Sequence, residues 1–94
     1  MIRRLDVSKL EGAALDAAVA KVELAGDAGA RKFRPSIDWK IAGPIIERER
    51  ITLKVGISGD WLAAVINLKP ARWEPGSTPL IAAMRAFVAA KESA

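Results

Sequence analysis

The chain contains neither cysteine nor histidine. Without cysteine it can form no disulfide and has no thiolate nucleophile, and without histidine it cannot build a Ser-His-Asp triad. The two residue types that dominate protein zinc sites are missing as well. We therefore expect a fold held by packing alone, with no cofactor, and an enzymatic role is disfavoured.

Long apolar runs are also absent from the sequence. No run approaches the roughly 20 residues that a membrane-spanning helix needs. The opening residues, Met1–Arg4, lead into no apolar core of the kind found in signal peptides. We expect a single domain of 94 residues located in the cytoplasm, with no membrane partner.

Large apolar side chains are scarce for a small domain. Hydrophobic residues make up 51% of the chain, but much of that share is alanine. The three tryptophans and two phenylalanines are therefore predicted to supply much of the buried area. On this basis Trp39→Ala should destabilise the fold far more than Phe33→Ala.

The first helix is predicted from an N-terminal signal. Ser8 and Glu11 have the spacing of a capping box, in which each side chain pairs with the other residue's backbone N–H. The predicted helix runs to about Leu24 and ends at Gly26. Its alanines form a stripe of small residues, so we expect it to pack on two sides.

A tryptophan-containing segment follows, and we interpret it as a turn and a short helix. Ser36 is predicted to cap the turn, and Gly43-Pro44 to start the helix. A strand through Glu47 and Glu49 would bury both carboxylates on one face without partners, which is costly. The short helix is therefore predicted to span Pro44 to Glu49.

The second half of the chain has strand patterns. Residues 50–55 alternate, with Ile51 and the next two odd-numbered residues predicted to face inward, and 56–60 form a glycine-bounded hairpin loop. Residues 61–68 are apolar on both faces, which is typical of a central strand covered on both sides. Residues 69–74 are predicted to add an edge strand, followed by a turn at Pro75-Gly76.

The last helix is predicted to start with Thr78 as N-cap and Pro79 as first residue. One side carries large apolar residues and the other carries four alanines. The alanine side should meet either the first helix or a second copy of the chain. The predicted fold is α+β: a small antiparallel sheet of two to three strands packed with a long N-terminal helix, a short Gly-Pro helix and a C-terminal helix.

The strongest candidate site lies in the middle of the chain. Its predicted binding residues are Asp38, Trp39, Glu47, Arg48 and Arg85. An arginine fork from Arg48 or Arg85 to Asp38 or Glu47 would tie the turn to the last helix, and we favour this over an anion clamp. The acids, together with Glu49, could also hold Mg²⁺ or Ca²⁺, but intramolecular ion pairs are favoured, and we assign no catalytic residue and no metal ligand.

A basic excess leaves nucleic acid as a possible partner, because 15 Lys and Arg residues face 11 Asp and Glu. The candidate contacts are Arg31, Lys32, Arg34, Arg50 and Lys54. The order of elements resembles that of double-stranded-RNA-binding domains. Those domains carry lysines at the start of their last helix, where this chain reads Pro-Leu-Ile-Ala-Ala, so the layout does not support the function.

Three segments resemble a known family. Residues 35–39 and 43–51 carry Pro-Ser-Ile-Asp-Trp and Gly-Pro-Ile-Ile-Glu-Arg-Glu-Arg-Ile, and residues 78–91 and 10–21 fit the same pattern. These segments resemble the phage NinX-like family of small phage and prophage proteins. The resemblance implies a phage accessory protein, and it implies no particular activity.

Three hypotheses for function remain from the sequence. The first is a non-catalytic protein that contacts a host or phage protein, or a second copy of itself through the alanine-rich helix faces. The second is a nucleic-acid-binding module that uses the basic residues. The third, and least favoured, is a metal-dependent enzyme that uses Asp38, Glu47 and Glu49.

Overall fold

A computed structural model describes residues 6–24, 33–66 and 72–93. A 3-10 turn, Val7–Lys9, precedes helix α1. The larger elements are α1 (Gly12–Glu23), α2 (Trp39–Glu49), β1 (Ile51–Val55), β2 (Trp61–Val65), β3 (Glu74–Gly76) and α3 (Pro79–Ser93). The arrangement is α+β, which confirms the predicted fold class.

The three strands form an antiparallel sheet in the order β1-β2-β3. Val55 pairs with Trp61 across the loop 56–60, so the predicted hairpin and the central place of β2 are confirmed. The third strand differs from the prediction. It starts at Glu74 and includes Pro75 and Gly76, for which the sequence predicts a turn. Proline is tolerated in this strand because the strand lies at the edge of the sheet, where its missing N–H is not needed for the ladder. The predicted start of that strand, residues 69–71, lies outside the described residues.

Helix α3 packs across one face of the sheet and forms the centre of the core. Its start is as predicted, since the Thr78 hydroxyl accepts from the backbone N–H of Ile81 at 3.1 Å. Both of its sides are covered within the chain, because the alanines at 82, 86 and 89 are at most 2% exposed. Most of this alanine side is therefore covered within the chain, and Ala90 is half-buried.

The start of α1 differs from the predicted capping box. Ser8 lies in the 3-10 turn, and its hydroxyl donates to Asp6 at 2.7 Å. The helix starts only at Gly12, and Glu11 makes no side-chain cap. A tertiary contact explains the delay: the Leu10 carbonyl accepts from Arg85 on α3 at 2.8 Å, so it is engaged outside the helix.

Helix α2 also differs, because it runs through the Gly-Pro pair. It begins at Trp39 with Asp38 as N-cap, and the Asp38 carboxylate accepts from the Lys40 N–H at 3.0 Å. Ser36 is therefore not the cap. Pro44 cannot donate to the Lys40 carbonyl four residues earlier, but Lys40 is exposed and water can satisfy that oxygen. The helix ends at Glu49 as predicted, and Arg50 follows in the left-handed region at φ 53°.

Among the described residues, helix α3 packs on one face of the sheet and no helix packs on the other, which we call the open face. The covered face carries Ile51, Ala63 and Val65, all in the core, while Leu53 is half-buried and Val55 is 58% exposed. The inward alternation predicted for β1 therefore fades toward the hairpin. Within the described ranges, α3 packs on this face, and the second covering layer predicted for β2 is not found.

The burial of the aromatic residues corrects the expectation for Trp39. Phe87 is fully buried, but Trp39 is 54% exposed at the start of α2. Phe33 is half-buried and packs against the core. Trp73 is 40% exposed, so two of the three tryptophans contribute less buried area than predicted. In the described ranges, no helix combines the length and apolar character needed to cross a membrane.

The ranking of two aromatic variants follows from this burial. Phe33→Ala is expected to lower the free energy of unfolding by about 2–3 kcal/mol, since it removes core contacts. Trp39→Ala should cost about 1 kcal/mol or less, because more than half of that side chain already faces solvent. Urea denaturation of both variants measures the difference. A larger loss for Trp39→Ala would contradict the structure and restore the ranking made from the sequence.

Candidate functional site

The predicted site residues of α2 separate in the structure. Asp38 caps the helix, Trp39 is exposed at its first position, and Glu47 is exposed one turn before its end. Arg48 faces α1, where it meets Glu23. The segment therefore presents its acids and its arginine to different surroundings.

Arg48 is the centre of a charge network that joins three helices. Its two terminal nitrogens donate to both carboxylate oxygens of Glu23 on α1, at 2.7 and 2.8 Å. Its Nε donates to Glu49 at 2.8 Å. The arginine fork expected from the sequence therefore exists, but its partners are Glu23 and Glu49, and neither Asp38 nor Glu47 takes part. The parallel two-point geometry is the strongest that an arginine and a carboxylate can form.

The network continues to α3 through a lysine. The Nζ of Lys91 lies 3.3 Å from the Glu49 carboxylate and 5.6 Å from the centroid of the Phe87 ring. The Arg48 guanidinium lies 5.9 Å from the same centroid. Both cations are thus held over one buried ring, which fixes their positions between the helices.

The network also shifts the ionisation of its members. Hydrogen bonds from Arg48 lower the pKa of the Glu23 carboxyl below its ordinary value. Burial opposes ionisation of Glu49, yet hydrogen bonds from Arg48 and Lys91 outweigh it and leave its pKa lowered too. The hydrogen bonds that Arg48 donates to Glu23 and then to Glu49 raise the pKa of its guanidinium above the ordinary value. All of these groups are therefore charged at neutral pH, and neither carboxylate is poised to exchange a proton.

Arg85 is engaged in a different place and with backbone atoms. Its Nε donates to the Leu10 carbonyl and one terminal nitrogen donates to the Pro75 carbonyl, each at 2.8 Å. It therefore ties the segment before α1 to strand β3 across α3. The structure does not bring Arg85 to Asp38, so the two arginines do not act on one site.

The carboxylates considered for a metal do not converge. Asp38 caps α2, Glu49 is held by two cations, and Glu47 points into solvent. Over the ranges that the structure describes, no three Asp or Glu residues are grouped closely enough to hold an ion.

A groove lies next to the charge network. It lies between α1 and the C-terminal half of α3 and has a volume of about 420 Å³. We call it the α1–α3 groove; it is lined by the apolar residues Leu10, Ala14, Ala17, Ala18, Val22 and Val88 and by the charged residues Lys21, Lys91 and Glu92. Because Lys91 belongs to both, the network fixes one end of the groove.

The apolar lining of this groove faces solvent where it belongs to α1. Ala14 and Ala17 are exposed, and Val22 is 42% exposed. The small-residue stripe that the sequence predicts on the first helix is thus only partly covered by the chain itself. Small side chains let another helix approach the backbone closely, so the surface suits helix docking.

A buried carboxylate that the sequence did not single out joins α1 to the turn before α2. Asp16 is 9% exposed and accepts from the backbone N–H of Ser36 at 2.9 Å. Ser36 is buried as well, and its hydroxyl has no partner among the described residues. Glu23 was missed for the same reason as Asp16, because each lies at least 20 residues from its partner along the chain.

The predicted nucleic-acid contacts lie in different parts of the fold. Arg34 lies in the turn beside α1, next to Asp16 and Ser36. Arg50 lies between α2 and β1, and Lys54 lies near the end of β1. Arg31 and Lys32 are outside the described residues.

Comparison with known proteins places the chain in one family. A family model described as "Bacteriophage P22, NinX" matches residues 25–91. The match includes the segments 35–39, 43–51 and 78–91. Segment 10–21 lies outside the matched residues. Among curated proteins, none matches the chain. Since the match covers well over half of the 94 residues, the chain belongs to the phage P22 NinX family.

Proposed function

We propose that this phage protein acts inside the infected bacterium by protein–protein contact, without catalysis, and that the α1–α3 groove is the contact surface. The groove is the observation that carries the proposal. It combines exposed alanines and Val22 on one wall with a buried Val88 beneath and fixed charges at its end. Surfaces of this kind receive the apolar side of a helix from another chain.

The non-catalytic part of the proposal is supported by how the acids are used. Glu23 and Glu49 are ionised and paired with Arg48 and Lys91. Asp38 is engaged by a helix N-terminus. An acid that serves as a helix cap or a permanent ion-pair partner is not positioned to transfer protons to a substrate.

A second copy of the chain is the occupant that the charges favour. The groove carries both signs, with Lys21 and Lys91 near Glu92. In a two-fold contact the same patch meets itself, so cations of one copy can lie against Glu92 of the other. An isologous contact of α1 on α1 would also cover the exposed alanines of both copies at once.

The decisive measurement is the solution mass of two matched valine variants. Val22→Arg places a long cation in the groove, whereas Val55→Arg makes the same change at an exposed valine outside it. Light scattering across a concentration series should give a dimer for wild type and Val55→Arg and a monomer for Val22→Arg. Equal masses for the two variants would rule out a dimer formed through the groove.

A host or phage protein as occupant gives a different result. Wild type would then be a monomer, and nuclease-treated host lysate would yield a protein bound to wild type and Val55→Arg but not to Val22→Arg. A monomeric wild type whose captured proteins are the same for both variants would overturn the proposal altogether. Melting curves of both variants confirm that they are folded before the comparison.

A further inference from the structure

We propose that the open face of the sheet binds single-stranded nucleic acid, with Trp73 as the stacking residue and Lys54 as the phosphate contact. This surface is on the side of the sheet opposite α3 and is separate from the α1–α3 groove. The proposal therefore stands or falls independently of the proposed protein contact.

The pairing of the strands defines the open face. Residues paired across an antiparallel sheet point to the same side. Glu74, Ala63 and Leu53 face α3, so their neighbours along each strand point away from it. The open sheet face consists of Thr52, Lys54, Leu62, Ala64, Trp73 and Pro75.

Exposure and one direct contact support this assignment. Thr52, Lys54, Trp73 and Pro75 are exposed at the sides of this face, while Leu62 is half-buried and Ala64 is buried on the central strand. The Nζ of Lys54 lies 4.1 Å from the centroid of the Trp73 ring, so the two side chains meet above the central strand. A tryptophan and a lysine are thus positioned together on this face of the sheet.

The chemistry of the face selects the ligand. Among the described residues it carries an aromatic ring, a lysine and no acid, and Arg50 immediately precedes β1 at one end. A base can stack on tryptophan while a nearby cation neutralises the backbone, which is how single-stranded nucleic acid is bound on exposed sheets. A base that stacks on Trp73 would displace the Lys54 ammonium group from the ring. The ammonium group would then be free to pair with a phosphate.

Two alternatives fit the same face less well. A duplex hides the faces of its bases, so Trp73 could not stack on them, and within the described part of the chain the face offers one lysine to follow two backbones. A protein partner would need a larger apolar centre than Leu62, Pro75 and one tryptophan provide. The open sheet face therefore fits unpaired bases best.

The test uses fluorescence anisotropy of a fluorescein-labelled oligothymidylate of 20 nucleotides and a labelled hairpin duplex of the same length. Wild type should bind the single strand at least about tenfold more tightly than the duplex. Trp73→Leu should weaken binding by about tenfold or more, since stacking of one base is worth roughly 1–3 kcal/mol. Trp73→Phe should retain most of the affinity, because phenylalanine also stacks.

Matched variants exclude a general effect of losing an exposed tryptophan or a charge. Trp39→Leu removes the other strongly exposed tryptophan, which lies on α2 away from the sheet, and should bind as wild type does. Lys54→Gln should weaken binding several-fold. It should also lower the slope of log affinity against log salt concentration by the amount expected for about one phosphate contact, whereas Lys40→Gln on α2 should change neither quantity.

Three results would overturn the proposal. The first is equal affinity for single strand and duplex, and the second is an equal effect of Trp73→Leu and Trp39→Leu. The third is no binding of the oligothymidylate by wild type at a protein concentration on the order of 100 micromolar, which is roughly the weak limit of non-specific binding. Should Trp73→Leu fail to fold, the comparison of Lys54→Gln with Lys40→Gln decides the question alone. A shift in solution mass caused by Val22→Arg has no bearing on these outcomes.

Discussion

Gly76→Ala is expected to destabilise the protein by about 3 kcal/mol or more, beyond the usual cost of adding one methyl group to a packed core. A Cβ atom at residue 76 would lie 2.4 Å from the backbone nitrogen of Ala82 and 2.8 Å from its Cα. Both are backbone atoms of the first turns of α3, so no side-chain rotation can relieve the overlap. Either β3 or α3 must move, and α3 is the centre of the core.

Gly43→Ala is the matched control for this prediction. Nothing lies within 4 Å of a Cβ built at Gly43, which is inside α2. Alanine is the better helix former there, so this variant should stabilise the protein by roughly 0.5–1 kcal/mol.

Urea denaturation followed by tryptophan fluorescence gives both values. A Gly76→Ala midpoint within error of wild type would show that β3 and α3 do not approach as closely as the structure has them. Equal losses for both glycine variants would point instead to a general intolerance of alanine in this chain.

The parts of the fold that the sequence predicts well depend on contacts between near neighbours. The start of α3 follows from Thr78 and Pro79, which need only the backbone of the next turn. The hairpin at 56–60 follows from the alternation of β1 and the glycines that bound the loop, and the central strand follows from a continuous apolar run. Such signals are complete within a few residues, so no knowledge of the rest of the chain is required.

The two wrong helix starts have a tertiary cause. The capping box at Ser8 fails because Arg85, 75 residues away from Leu10, binds the carbonyl at the point where the helix would begin. The Gly-Pro pair fails as a boundary because Ala42 and Ile45, on either side of it, are both buried in the core. Burial of that face outweighs one missing hydrogen bond in α2.

The candidate site was predicted only in part for the same reason. Arg48 was singled out, but its partner Glu23 lies 25 residues away, and no spacing in the sequence connects them. Lys54 was assigned to a basic surface, while Trp73 was assigned to the core. Alternation alone would place Trp73 inside and Glu74 outside, and the structure has the reverse, because β3 packs on α3 with Glu74 on the covered side.

Phe87→Ala is expected to lower the free energy of unfolding by about 3–5 kcal/mol, the range for a fully buried phenylalanine. Phe87 has no exposed surface and lies where α3 meets the charge network of Arg48 and Lys91. Its removal leaves a cavity in the core and takes the ring from beneath two cations. A chain of 94 residues has little stability to spare, so the variant should be largely unfolded at 37 °C.

Phe87→Leu separates the two contributions of this side chain. Leucine fills most of the space, so the loss should fall to roughly 1–2 kcal/mol. A double-mutant cycle that pairs Phe87→Leu with Lys91→Met then measures the contact between cation and ring, with an expected coupling of about 0.5–1 kcal/mol. Since Lys91 also lines the α1–α3 groove, a coupling near zero would mean that the ring does not hold this lysine in place, and the charged end of the groove would be set by Glu49 alone.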